Sequence, residues 1–182
     1  MNPCPTLWKT CRVIANETRL QLLWLLFSKG ELTVTQIVTE TGMSQPNASN
    51  QLKALRETGL IVCRRNKMKV FYRAEANPAA AVVPDILEAL RDCYEKSVAL
   101  KTLIRHATAF THERRIEIFR ALHGTSLTAP ALRDATGMSP SALWRHLEKL
   151  VRRGYVKEAD HAYRIGGAGN TLGRTLLKLA VH

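Results

Sequence analysis

Acidic residues are what this sequence has too few of. Its 182 residues include 15 Asp and Glu against 27 Lys and Arg, a formal net charge of +12. That imbalance says nothing about fold, but it selects an acidic partner: nucleic acid, an anionic membrane surface or an acidic protein. Aromatics make up only 6% of the chain, which suits small helical units better than a large β core. The four cysteines, Cys4, Cys11, Cys63 and Cys93, are scattered without a C-x-x-C spacing, and a 46% hydrophobic content supplies a core without metal or disulfide staples. The longest apolar stretch, Leu20 to Phe27, is interrupted by Gln21 and falls far short of the roughly 20 residues a membrane span needs. The N-terminal stretch has neither the basic start nor the apolar core of a secretion signal. The expectation is a cytoplasmic, nucleoid-associated protein with reduced thiols and no membrane partner. A Gly-rich phosphate loop, paired carboxylates and a nucleophile motif are missing too, so no enzyme and no cofactor are expected. His106 and His112 are not three or four residues apart, the spacing that shares a helix face, and no metal site is expected.

What the sequence does have is internal repetition. Thr41-Gly42-Met43-Ser44 returns as Thr136-Gly137-Met138-Ser139. In the same register Leu52 meets Leu147, Leu55 meets Leu150 and Gly59 meets Gly154, while one residue out of that register Glu17, Arg19 and Leu26 meet Glu113, Arg115 and Leu122. Each copy reads alike. In the first, Asn16 caps a helix to about Ser28, and Thr33-Val34-Thr35-Gln36 is a capping box opening a short helix to about Glu40. Thr41-Gly42 is a turn, and Ser44 caps a helix to about Thr58 with Ala48, Leu52 and Leu55 facing inward. Gly59 stops that helix, and Leu60 to Arg65 and Lys69 to Ala74 read as two strands. In the second copy the helices are Arg114 to His123, Thr128 to Thr136 and one opening at Ser139-Pro140. A shorter hairpin (Tyr155 to Glu158, Ala162 to Ile165) and a last helix, Asn170 to Val181, follow.

Two short helices, a glycine turn, a third helix and a β-hairpin make a winged helix-turn-helix. The predicted fold is therefore mainly α with small β-hairpin wings (α+β): winged helix-turn-helix domains at residues 1–78 and 105–182, joined by a helical connector at 79–104. The connector's Leu87, Leu90, Tyr94, Leu100, Leu103 and Ile104 need a partner surface, which predicts a homodimer. Charge follows the same division: Lys and Arg outnumber Asp and Glu by 11 to 5 in residues 1–78 and by 13 to 6 in 105–182, but stand at 3 to 4 in 79–104.

The runs Asn16–Leu20, Glu31–Ile37, Met43–Leu55 and Glu57–Ile61 resemble the ArsR-type winged-helix repressors over about residues 7–78, and the second repeat resembles the same superfamily more loosely. The resemblance implies a recognition helix in the major groove and dimeric operator binding controlled by a ligand, here an unidentified small-molecule or redox effector. The Cys-x-Cys that many metal-sensing members carry is replaced here by Thr33 and Thr35, and threonine is a poor soft-metal ligand.

A recognition helix turns an apolar face to its own domain and polar side chains to double-stranded DNA. In the first repeat the expected readers are Ser44, Gln45, Asn47, Ser49, Asn50 and Lys53, with Arg64, Arg65, Lys67 and Lys69 on the wing for phosphate or minor-groove contact. In the second they are Ser141, Arg145, His146 and Lys149. Amides pair with adenine edges and arginine with guanine. Trp144 stands where Ser49 does in the first copy and is large for a groove-facing position, so protein contact is the alternative reading of this helix. Cys11, Cys63 and Cys93 are candidate thiol sensors, set against the ordinary role of cysteine as a small buried residue. The sequence thus expects a sequence-specific transcriptional regulator, a repressor. The alternative from another class is a tandem winged-helix interaction or assembly module that does not read DNA.

Overall fold

The computed structural model describes residues 6–182; Cys4 lies outside them. The first half runs α1 (Leu7–Ile14), α2 (Glu17–Lys29), β1 (Glu31–Thr33), α3 (Val34–Thr41), α4 (Gln45–Glu57), β2 (Val62–Asn66), β3 (Lys69–Arg73) and α5 (Val83–Glu95). The second runs α6 (Leu100–Ala107), α7 (Glu113–Ala121), β4 (Leu127–Thr128), α8 (Ala129–Thr136), α9 (Pro140–Arg152), β5 (Val156–Ala159), β6 (Ala162–Ile165) and α10 (Thr171–Val181). Element for element the order is the same. So is the sheet topology: β1-β3-β2 in one half, β4-β6-β5 in the other, all antiparallel.

Local chemistry sets most of these boundaries. The Asn16 side chain accepts from the Arg19 N–H at 3.0 Å and opens α2. Thr33 and Gln36 form a reciprocal capping box at the start of α3, with the Thr33 N–H donating to Gln36 Oε1 at 2.9 Å, so two orphan donors of the first turn are satisfied at once. Gly42 ends α3 at φ 68° and Gly137 ends α8 at φ 62°, a left-handed geometry that glycine adopts without steric cost. Ser139 Oγ accepts from the Ala142 N–H at 3.3 Å. Its counterpart Ser44 occupies the cap position of α4 without a side-chain cap bond among the described residues, and Pro46 in the first turn has no N–H to be capped.

Each helical unit closes on its own leucines. Leu20, Leu23, Leu26, Ile37, Ala48, Leu52 and Leu55 are buried around α2, α3 and α4. In the second half Phe110 stacks on Phe119 with centroids 4.9 Å apart, and Tyr155 packs edge-on to Phe110 at 5.0 Å. The Tyr155 hydroxyl lies 2.6 Å from His106 Nδ1.

The structure departs from the sequence reading in three places. Strands β1 and β4 were not foreseen; they are short and exist only by pairing with the distant β3 and β6, as in Glu31 opposite Arg73. Leu60 and Ile61 are core residues ahead of β2 rather than part of it. The connector is two helices rather than one, broken at Ser97 with φ 53°. Its apolar face does not await a second copy, because α10 lies along α5 within the chain and α6 packs against α1, α2 and α10. Leu87, Leu90 and Leu103 are accordingly buried, so the argument from an uncovered connector to a homodimer no longer holds.

Candidate nucleic-acid interface

Helix α4 is amphipathic in the sense a reading helix requires. Ala48, Leu52 and Leu55 recur at i, i+4 and i+7 and are fully buried, which fixes the rotation of the helix on its domain. That rotation leaves Ser44, Gln45, Asn47, Ser49, Asn50 and Lys53 exposed together. Behind them lies an arginine that the sequence marks as part of the repeat but not as part of this site. Arg19 donates to the Val13 carbonyl at 2.6 Å, to the Arg12 carbonyl at 3.3 Å and to Gln51 Oε1 at 3.1 Å. Gln51 in turn donates to Asn47 Oδ1 at 3.1 Å. The guanidinium thereby ties the end of α1 to α4 and holds the Asn47 amide in place, a pre-organisation that a base-reading group needs. Lys53 sits 3.9 Å from Glu57 in a solvent-exposed pair, which is too weak to withhold it from a phosphate.

The hairpin β2–β3 follows α4 and meets its C-terminal end, where Arg56 Nη1 lies 3.8 Å from Cys63 Sγ. Arg65, Lys67 and Lys69 are exposed, and Lys67 takes φ 53° at the turn. Met68 at the tip is 95% exposed. Arg64 is engaged differently: it donates to both carboxylate oxygens of Glu31, at 2.8 and 2.6 Å, and lies over the Phe71 ring. The hydrogen bonds from Arg64 hold the Glu31 carboxyl below its ordinary range. Arg64 therefore braces the sheet, leaving the other three cations as the wing's unpaired charge among the described residues.

In the second half Ser141, Arg145 and Lys149 are exposed on α9 beside Trp144, which is 64% exposed. Trp144 rims an apolar hollow of about 240 Å³ with Pro130, Leu143, Leu147 and Tyr163. His146 is a correction. It is only 4% exposed, and its ring lies 4.6 Å from that of His112, so it points into the molecule and not toward a groove. The signal was available, because Leu143, His146, Leu147 and Leu150 follow the i, i+3, i+4, i+7 stripe of a buried face. Its Nδ1 has no hydrogen-bond partner among the described residues. Lost solvation, then the positive neighbours His112, Arg115, Arg145 and Lys149, push its pKa down to about 4 from 6.5. Between those values the unfolded chain binds the proton and the folded chain does not. Stability should therefore fall as the pH drops from 6.5 toward 4. His146→Gln, which installs the residue type found at the counterpart position 51, should reduce that dependence in thermal melts at pH 7.5 and 5. An unchanged pH dependence would contradict the assignment.

The three candidate thiols, Cys11, Cys63 and Cys93, sit in unlike environments. Cys11 and Cys93 are buried and Cys63 is exposed on β2. Burial raises the Cys11 and Cys93 pKa values, the reverse of what a reactive thiolate requires. A thiol reagent should modify Cys63 well ahead of Cys11 and Cys93, as read by peptide mass spectrometry on the folded protein. Faster labelling of Cys11 would place it on a mobile surface instead. No group of three or more metal-ligating side chains occurs among the described residues, and none of their helices is long and apolar enough to cross a membrane.

Helices α2 to α4 with the β2–β3 wing, a buried leucine face and an exposed polar and basic face, define a winged helix-turn-helix DNA-binding protein. Comparison with known proteins specifies the kind. A family model described as bacterial regulatory protein, arsR family, matches residues 16–62. The arsenical resistance operon repressor of Escherichia coli is 38% identical over 89 residues, 49% of this chain and 76% of that protein. A biofilm growth-associated repressor of Xylella fastidiosa is 36% identical over 72 residues, 40% of this chain and 62% of that protein. The HTH-type transcriptional regulator KmtR of Mycobacterium tuberculosis is 34% identical over 74 residues, 41% of this chain and 56% of that protein. The chain thus spans less than two thirds of the last two relatives. Among solved structures, the homodimeric winged helix-turn-helix DNA-binding domain of Mb0332 from Mycobacterium bovis, a possible ArsR-family regulator, is 31% identical. It covers 50% of this chain and 80% of that one, with a TM-score of 0.40. The chain belongs to the arsR family of bacterial regulatory proteins, and it is a DNA-binding transcriptional regulator. Residues 104–181 match a different family model, the HVO_A0261 N-terminal domain.

Proposed function

We propose that the chain is a transcriptional repressor that reads an operator with α4 and grips the flanking phosphates with the β2–β3 wing. The observation that carries this reading is the exposed row Gln45, Asn47, Ser49, Asn50 and Lys53, backed by buried Ala48, Leu52 and Leu55. Asn and Gln amides present a donor and an acceptor side by side, the pattern that matches an adenine edge in the major groove. Several curated relatives are named as repressors, which supports repression as the outcome of binding.

In this reading residues 105–182 form a second winged-helix head and 79–104 the spacer between the two. The shared element order and sheet topology support it, as do the exposed Ser141, Arg145 and Lys149 on α9. A second reading of α9, as a docking face for protein, is favoured by exposed Trp144 and the apolar hollow beneath it.

The test is a gel-shift titration against the DNA upstream of the protein's own gene. A repressor binds that DNA over random competitor, and its affinity falls steeply as salt rises, because phosphate contacts release counterions. Weak binding that ignores sequence would favour an assembly module.

A further inference from the structure

The two halves do not merely resemble one another; they pair through equivalent surfaces. Counterpart elements are set by the arginines at the start of α2 and α7. Arg19 donates to the carbonyls of Val13 and Arg12, and Arg115 donates to those of Ala109 and Thr108. Each partner is displaced along the chain by the same number of residues as the arginines themselves. This places α1 opposite α6 in the repeat, and α5 opposite α10, since each follows its wing. In the fold α1 packs on α6, and α5 packs on α10. Cys11 and Ile14 of α1, and Ala107 and Phe110 in and after α6, are fully buried. Along the other pair, Cys93 of α5 sits against the backbone of Leu172 in α10.

A patch that packs on its own equivalent is an isologous contact, the kind that joins two identical subunits in a dimer. Here both sides of it belong to one chain. The joined heads are not alike on their exposed faces. Helix α4 offers the amides of Gln45, Asn47 and Asn50, whereas α9 offers Arg145 and Lys149. Amides match adenine edges, and arginine matches the O6 and N7 of guanine.

Resting on the reading of α9 as a second reading helix, we propose that one chain alone occupies a complete operator of two unlike half-sites, an adenine-bearing one taken by α4 and a guanine-bearing one taken by α9. The chain is its own dimer, and its target is asymmetric. The half-sites lie about one helical turn apart, the spacing of paired recognition helices on one face of a duplex.

The experiment selects duplexes from a random pool with the full chain and measures the mass of the complex on the enriched duplex by native mass spectrometry. The expected result is a non-palindromic consensus bound by one chain per duplex. Arg145→Ala should then lose roughly tenfold or more in affinity, with discrimination relaxed only in the guanine-bearing half, and Asn50→Ala should do so only in the other half. A palindromic consensus bound by two chains overturns the proposal while leaving repression by α4 intact. A consensus covering a single half-site, unmoved by Arg145→Ala, overturns it as well and assigns α9 to protein contact. Failure to enrich any sequence overturns the DNA reading itself and this inference with it.

Discussion

Asn50→Ala is expected to weaken binding to the preferred operator roughly thirtyfold, about 2 kcal/mol, while leaving binding to random DNA unchanged. The reasoning is geometric. Asn50 lies on the exposed side of α4, flanked by buried Ala48 and Leu52, which hold the helix at one rotation. Its amide is then presented by a rigid element, so little ordering entropy is lost on contact. Truncation to alanine removes a base contact and no charge, so the slope of affinity against salt should stay the same. Lys53→Ala is the contrasting variant. It removes a cation, and it should lower affinity for all sequences alike and reduce the salt slope by about one counterion. Fluorescence anisotropy at several salt concentrations separates the two. Equal losses on operator and random DNA for Asn50→Ala would remove that residue from the reading set.

Phe119→Ala is expected to cost about 4 kcal/mol and lower the melting temperature by roughly 10 °C. Phe119 is fully buried, stacked on Phe110 at 4.9 Å and edge-on to Tyr155 at 6.0 Å. Tyr155 directly follows the turn that closes α9, so the ring cluster anchors the end of that helix. Loss of the ring removes apolar burial, leaves a cavity and forfeits two aromatic contacts. Phe119→Leu fills most of the space and should cost less than half as much. A melting curve followed by circular dichroism decides it. A shift under about 2 °C for the alanine variant would mean that the second half is not held by these rings.

The same cluster shows what a linear reading can reach. Helix boundaries were legible because caps are local: Asn16 with Arg19, Thr33 with Gln36, and Gly42 and Gly137 at left-handed φ need only a few consecutive residues to be recognised. The duplication was legible for a related reason, since leucines at Leu52 and Leu147 keep helical register whatever surrounds them. Strand β1 was not, because Glu31–Thr33 is extended only through hydrogen bonds to β3, some forty residues away. The partner of the connector was also out of reach. Periodicity says that Leu87 and Leu90 must be covered, but not by what, and the cover turned out to be α10 of the same chain.

The candidate site divides along the same line. Exposure of the α4 row followed from its leucine stripe. His146 is buried, as its place in the leucine stripe implies, and the pairing of Arg64 with Glu31 runs across the sheet, out of reach of a linear reading. The repeat marks Arg115 as the counterpart of Arg19 but not its burial, because burying a guanidinium is costly without partners. It is 5% exposed, yet it is supplied with the carbonyls of Ala109 and Thr108 and the Thr111 hydroxyl. Burial, and then the nearby Arg153, lower its pKa to about 10, still well above neutrality.

The most direct test of the account places a photoactivatable crosslinker at position 50 on α4 and, in a second sample, at position 88 on the outer side of α5, each bound to operator DNA. If α4 enters the major groove, position 50 crosslinks to bases at one defined place in the operator and position 88 gives no base adduct. Base adducts from position 88 with none from position 50 would show that a different face of the molecule meets DNA.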